Sequence, residues 1–183
     1  YEKLRLEWTY NSNAIEGNIL SLGETRQVVE IGLTVTGKPL RDSLEARNLA
    51  HALDFFEEVA TRHGQPITEN DIRQIHAAIL KGIDDDNAGS YRKGDVEITG
   101  SHFKPPPPED VSPKMAELGE WLKGVSVSSA DPEVNPLVTA TAAHAWLVYI
   151  HPFVDGNGRT ARILMNLLLM RHGYPIGIIT KDD

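Results

Sequence analysis

The strongest constraint on the fold is a helix-length stretch, residues 137–150, that is apolar nearly all round. A surface helix carries one apolar stripe; a helix without a polar face asks for burial on every side, which predicts a central helix. Asn135-Pro136 marks its start, an N-cap residue followed by proline at the first helical position, where no intrahelical N–H is needed. A second helical stretch, about residues 158–172, carries Ile163, Leu164, Leu167, Leu168 and Met170 and stops at Gly173 and Pro175. The rest of the chain has the same period. Thr68-Glu69-Asn70-Asp71 reads as a capping box, followed by Ile72, Ile75 and Ile79 up to Gly82. Leu49, Leu53, Phe56 and Ala60 line a longer helix that stops at Gly64, and Ser21 with Glu24 starts one that runs to about Gly32. Ser112-Pro113 predicts a start before Met115, Leu118 and Leu122, with an end at Gly124. Residues 1–15 put Leu4 and Trp8 on one side and end at Gly17. The expected class is all-α.

Composition narrows function. With 183 residues, 40% apolar and 24% charged, the chain suits one domain, or two small ones, with a core that needs no staples. Lys plus Arg total 18 against 26 for Asp plus Glu, a net charge of −8 that excludes a general nucleic-acid binder while leaving room for a local basic pocket. The absence of cysteine excludes disulfides and thiolate metal sites. No apolar run reaches the roughly 18 residues of a membrane span. The chain starts at Tyr1 and shows no signal peptide, so it reads as part of a longer protein. Its compartment is unassigned, with the cytoplasm as the default, and self-association is left open.

One stretch departs from the helical period. Within residues 89–108, Val96-Glu97-Ile98-Thr99 alternates like a short strand before Gly100 and four prolines, which predicts a β-hairpin or extended flap. The prolines brace a loop or offer an extended ligand to a partner. Asp84-Asp85-Asp86 reads as a solvated loop.

The chemistry concentrates in His151-Pro152-Phe153-Val154-Asp155-Gly156-Asn157-Gly158-Arg159-Thr160-Ala161-Arg162. Pro152 disfavours helical geometry at His151, so the buried helix ends there and leaves the imidazole at a mouth. Gly156 and Gly158 permit a tight loop whose amides converge at the start of the next helix, an anion site suited to phosphate. Arg159 and Arg162 lie on the first turn, where each can grip phosphate oxygens. Asp155 is a hard oxygen ligand beside that nest, as Mg²⁺ on a polyphosphate requires. His151 is a base whose unperturbed pKa is about 6.5. Taken singly, each has a plainer role: a capping His, a Gly-Asn-Gly turn, a solvated Arg pair, an Asp that caps a helix. Their concentration in one segment between two buried helices favours transfer of a phosphate-containing group. A P-loop is excluded because no Gly-Lys-Ser/Thr follows the glycines, and a dinucleotide fold because no strand precedes them.

That segment resembles the signature of the Fic family, His-x-Phe-x-Asp/Glu-Gly-Asn-Gly-Arg-x-x-Arg, at every fixed position. The resemblance covers nearly the whole chain and implies a compact helical domain with one β-hairpin flap over the site. It implies an adenylyltransferase that moves AMP from ATP to a Ser, Thr or Tyr hydroxyl of a target protein. His151 would be the base. Asp155 would hold Mg²⁺ or Mn²⁺. Gly156, Asn157 and Gly158 would form the anion hole, with the Asn157 side chain on the α-phosphate. Arg159 and Arg162 would contact the β- and γ-phosphates. The flap, Val96, Glu97, Ile98, Thr99 and Gly100, would dock the target by strand pairing; His102 beyond it reads as a surface residue or a contact.

Ser12-Asn13-Ala14-Ile15-Glu16-Gly17 resembles the family's inhibitory motif, Ser/Thr-x-x-x-Glu-Gly/Asn. The implied division is an N-terminal inhibitory helix region, residues 1–20, and a catalytic domain, residues 21–183, with a core incomplete at its C-terminus. Glu16 paired with Arg162 would occupy the clamp the γ-phosphate needs. The same residues would serve removal of AMP from a modified protein, with Glu16 orienting a water. A nucleotide-binding module without turnover is the non-enzymatic alternative. For adenine, Asn166 and the loop at Tyr174 are candidates, and a buried capping role for Asn166 competes.

Overall fold

The computed structural model describes residues 2–62, 64–98, 100–127 and 135–181, of which residues 126 and 127 are described by backbone only. Seven α-helices follow in order: α1 (Glu2–Ile15), α2 (Leu22–Arg26), α3 (Leu40–Thr61), α4 (Glu69–Leu80), α5 (Pro108–Val127), α6 (Pro136–Ile150) and α7 (Asn157–Arg171). One π-helical turn, Gln27–Ile31, extends α2 and stops at Gly32, whose φ of 78° is the left-handed C-terminal conformation that glycine adopts without strain.

The local signals explain the starts. Ser21 and Glu24 form a reciprocal capping box on α2, and Thr68 and Asp71 do the same on α4. Asn135 caps α6 by accepting from the N–H groups of Leu137 and Val138. Helix α5 begins earlier than the Ser112-Pro113 pair predicts. Pro108 takes the first helical position with Glu109 and Asp110 behind it, Pro113 is carried inside, and the helix passes Gly124. Val111, on the turn before Pro113, is buried in the core.

The central helix is α7, and this corrects the reading of residues 137–150. Every residue of α7 from Arg159 to Leu169 is buried, and the helix packs against α1, α3, α4 and α6. Helix α6 buries only Thr139, Ala140, Ala143, Leu147 and Ile150, while Leu137 and Val138 are exposed. Its other face is apolar yet exposed, with Tyr149, Thr141, Ala142 and Ala145 beside Leu137 and Val138. Among the described residues no helix is long and apolar enough to cross a membrane.

The stretch from Gly89 to the prolines is extended, but among the described residues it contains no strand, so the expected β-hairpin is corrected to an irregular flap. Val96, Glu97, Ile98 and Gly100 are described and Thr99 lies outside the described residues. Two isolated strands are marginal in water, and prolines donate nothing to a ladder. The flap is held by side-chain bonds instead. The acid run Asp84-Asp85-Asp86 forms a capped turn in which Asp84 accepts from Asn87 and Asp85 from the Gly82 amide.

Candidate active site

The His151 turn begins where α6 ends. His151 is the one non-glycine among the described residues with positive φ, at 49°. Pro152 bars it from continuing the helix, and its N–H still bonds the Leu147 carbonyl at 2.9 Å. Burial pushes the His151 pKa below the usual histidine value; the Val148 carbonyl opposes this and Arg92 reinforces it. The ring is therefore neutral near pH 7, as a base must be.

The loop after it is closed by its own side chains. Asn157 donates to the Phe153 carbonyl at 2.8 Å and accepts from the Phe153 N–H at 2.9 Å, so its amide shapes the loop here. Phe153 lies flat on His76, with ring centroids 3.6 Å apart. His76 Nδ1 accepts from the Gly89 amide at 2.9 Å, which makes Nε2 the donor to the Asp155 carbonyl at 2.9 Å. That tautomer is fixed by its partners.

Asp155 is surrounded by cations. Arg41 reaches one carboxylate oxygen at 2.5 Å and Arg159 the other at 3.2 Å. Burial would raise its pKa, but Arg159, the Gly156 amide and Arg41 outweigh burial and hold it below the usual aspartate value. Buried Glu45 links the two cations, at 3.0 Å from Arg41 and 3.3 Å from Arg159. Asn18 donates to its second oxygen at 3.0 Å.

Residues far apart in sequence meet at Arg162. Its Nε donates to Ser12 Oγ at 2.8 Å, and its Nη2 donates to the Ser12 carbonyl at 2.7 Å and to Glu16 Oε1 at 2.6 Å. A Cβ on Gly158 would overlap Glu16 Oε1, so the Glu16 carboxylate lies directly on the first turn of α7. Burial lowers the Arg162 pKa and Glu16 opposes that shift. Asn166 is not an open ligand: it brackets Gly177 with bonds of 2.7 and 3.1 Å and bonds the Arg162 carbonyl at 3.0 Å.

A cleft of about 540 Å³ connects these parts. Ile15 and Glu16 line it from α1, Glu97 and Ile98 from the flap, and His151 with the Val154–Gly158 loop from below. The sequence-derived residues His151, Asp155, Gly156, Asn157, Gly158, Arg159, Arg162, Ser12 and Glu16 thus stand in one place. His76, Arg92, Glu45 and Arg41 escaped sequence reading. His76 and Glu45 left a trace: a polar residue beside Ile75 and Ile79, and another four before Leu49, both on helix faces that turn inward. Arg92 left none.

Known proteins resemble this chain in sequence and in fold. The chain is 42% identical over 175 residues to protein adenylyltransferase Fic of Nematostella vectensis, covering 95% of this chain and 39% of that protein. It therefore spans about two fifths of that curated relative's length. A solved Fic domain containing signaling protein from Bacteroides thetaiotaomicron, 33% identical, superposes with a TM-score of 0.89 over 100% of this chain and 68% of its own. Solved Fic-1 from C. elegans, 35% identical, gives 0.83 over 97% of this chain and 51% of its own. Residues 66–169, which hold the His151 turn, the phosphate-type loop and the helix that braces them, match the Fic/DOC family profile, and the chain belongs to the Fic/DOC family.

Proposed function

We propose that this domain transfers AMP from ATP to a hydroxyl of a target protein and that Glu16 restrains the transfer. The observation that carries the proposal is the placement of neutral His151 in the same cleft as the Asp155–Gly158 loop. Its Nδ1 is buried, which leaves Nε2 to take the hydroxyl proton. The hydroxyl oxygen then bonds to the α-phosphorus, the bond to the bridging oxygen breaks, and pyrophosphate departs. The amides of the loop and the first-turn arginines stabilise the charge that builds on the phosphates. The similarity to proteins named adenylyltransferases supports ATP as the substrate.

Asp155 would hold a divalent cation in exchange for its contact with Arg41. It is kept ionised and is partly exposed. Among the described residues no group of three or more His, Asp or Glu side chains stands ready to hold a metal. Asp155 would share such an ion with phosphate oxygens and water, the coordination Mg²⁺ favours. Bound there, the ion would neutralise phosphate charge. Glu97 and Ile98, with Val96, Thr99 and Gly100, are the segment proposed to meet the target.

Glu16 restrains the site by holding Arg162, which is then unavailable to a terminal phosphate. Incubation with ATP labelled at the α-phosphate tests both parts. Glu16→Gly should label itself or a target at least 10-fold faster, roughly 10-fold for each 1.4 kcal/mol of barrier removed. Glu16→Gly with His151→Ala should not label. Equal labelling by both would refute the base assignment, and no gain in the first would refute the restraint. The exposed part of the Glu16 carboxylate, lying in the cleft, favours a second reaction, removal of AMP by a water it orients. That activity should disappear in Glu16→Gly.

A further inference from the structure

Arg92 lies 59 positions before His151, and its backbone and side chain both grip the catalytic turn. Its N–H donates to the Pro152 carbonyl at 2.9 Å and its Nε to the His151 carbonyl at 2.8 Å. Its other two nitrogens reach away from the turn, one to the Gly94 carbonyl at 3.0 Å and one to the Pro106 carbonyl. Those two residues lie on either side of the flap, two before Val96 and six after Gly100. The side chain is buried, with 4% of the residue exposed, and among the described residues no carboxylate stands at ion-pair distance. One desolvated cation is thus held by three carbonyl dipoles, in the planar fork geometry that guanidinium has and ammonium lacks.

The turn has need of such a hold. A left-handed conformation at a non-glycine is strained and persists only where surroundings enforce it. Pro152 contributes no N–H of its own to fix the peptide. We propose that Arg92 is the positioning residue of the base: it fixes the left-handed His151 turn and ties the segments that flank the flap to it, so that one side chain sets the distance between base and target segment. The proposal rests on the reading of His151 as the base and of Val96–Gly100 as the docking segment. The groups that bear on the imidazole are Arg92 from the flap side, Glu16 from the end of α1 and Asp155 from the loop; Arg92 favours the neutral ring and the other two the charged one.

Arg92→Lys and Arg92→Gln test it in the Glu16→Gly background, where turnover is measurable. Each variant should keep its melting cooperativity and bind ATP within a few-fold of the parent, because Arg92 touches nothing in the Gly156–Arg162 loop. Transfer to the target should fall by about 10²-fold in both, the cost of a misplaced reacting group. The KM for the target should rise while that for ATP holds. In Arg92→Gln the low-pH limb of kcat should also move to higher pH, matched by the His151 imidazole titration followed by NMR. In Arg92→Lys, which keeps the charge, that limb should stay. Unchanged kcat in folded variants would overturn the proposal. So would collapse of the fold in both, since Arg92 would then be a brace with no separable effect on the base. If His151→Ala transfers normally, the base reading fails instead, whatever Arg92 does.

Discussion

His76 carries an imidazole that the fold holds in its neutral form. Burial depresses its pKa to about 4, against 6.5 when unperturbed. The unfolded chain binds the proton below pH 6.5 and the folded chain refuses it until about pH 4, so this residue's contribution is full above 6.5 and is lost as pH falls toward 4. The shift corresponds to a loss on the order of 3 kcal/mol across that window. Denaturant unfolding at several pH values should show wild type weakening over that range and His76→Gln, less stable at neutral pH, with a flatter slope. An unchanged slope would mean that His76 does not titrate with folding. The same substitution loosens the stack on Phe153 and so the phosphate-type loop. At Arg162 the expectation differs: Arg162→Ala frees the cleft and removes a phosphate contact together, so Glu16→Gly with Arg162→Ala should label like Arg162→Ala alone. A gain in the double variant over Arg162→Ala would show Glu16 acting elsewhere.

Helix α4 positions His76, and its start is closed by a capping box. Thr68→Ala removes the acceptor for the Asp71 amide and the hydroxyl bonded to its carboxylate at 2.6 Å. The expected loss is about 1 kcal/mol, read as a lower urea midpoint with unchanged m; no shift would show the cap to be redundant. Caps of this kind were legible in the sequence because they depend on residues three apart. The signature loop was legible for the same reason: base, acid, glycines and arginines are consecutive. What stayed hidden depends on contacts across the fold. Arg92 is one more surface-type residue until its three carbonyl partners are in place. The burial of α7 rather than α6 is decided by which helix has neighbours on every side, and apolar content does not encode that. The flap alternates like a strand, yet a strand needs a partner, and none is present among the described residues. Glu16 and Arg162 are the exception, separated by 146 positions and joined by a resemblance that the contact of 2.6 Å supports.

At the scale of the whole molecule, α1 belongs to the core of the domain. Trp8 is 1% exposed and sits in the same cluster as Leu53, Phe56 and Leu164. Removing residues 1–17 should therefore destabilise the entire domain, by at least the 3–5 kcal/mol typical of a buried Trp→Ala change. Thermal unfolding of the truncated chain checks this, and a stable, cooperative truncation would show α1 to be detachable. The loop that follows is anchored as well: Asn18 and Ile19 bond to Asp42 on α3, each at 3.0 Å. Glu16 thus lies between two fixed points, on the short turn closed by Gly17 with φ at 90°. Its carboxylate can leave Arg162 by rotating its own side chain, with helix and loop both in place. Release would then need only rotation of that side chain away from Arg162, whereas undocking α1 would wait on rare opening of the core. If Glu16 restrains the site as proposed, what an effector would change is the fraction of time spent unlocked, and the domain would behave as a dimmer rather than a latch.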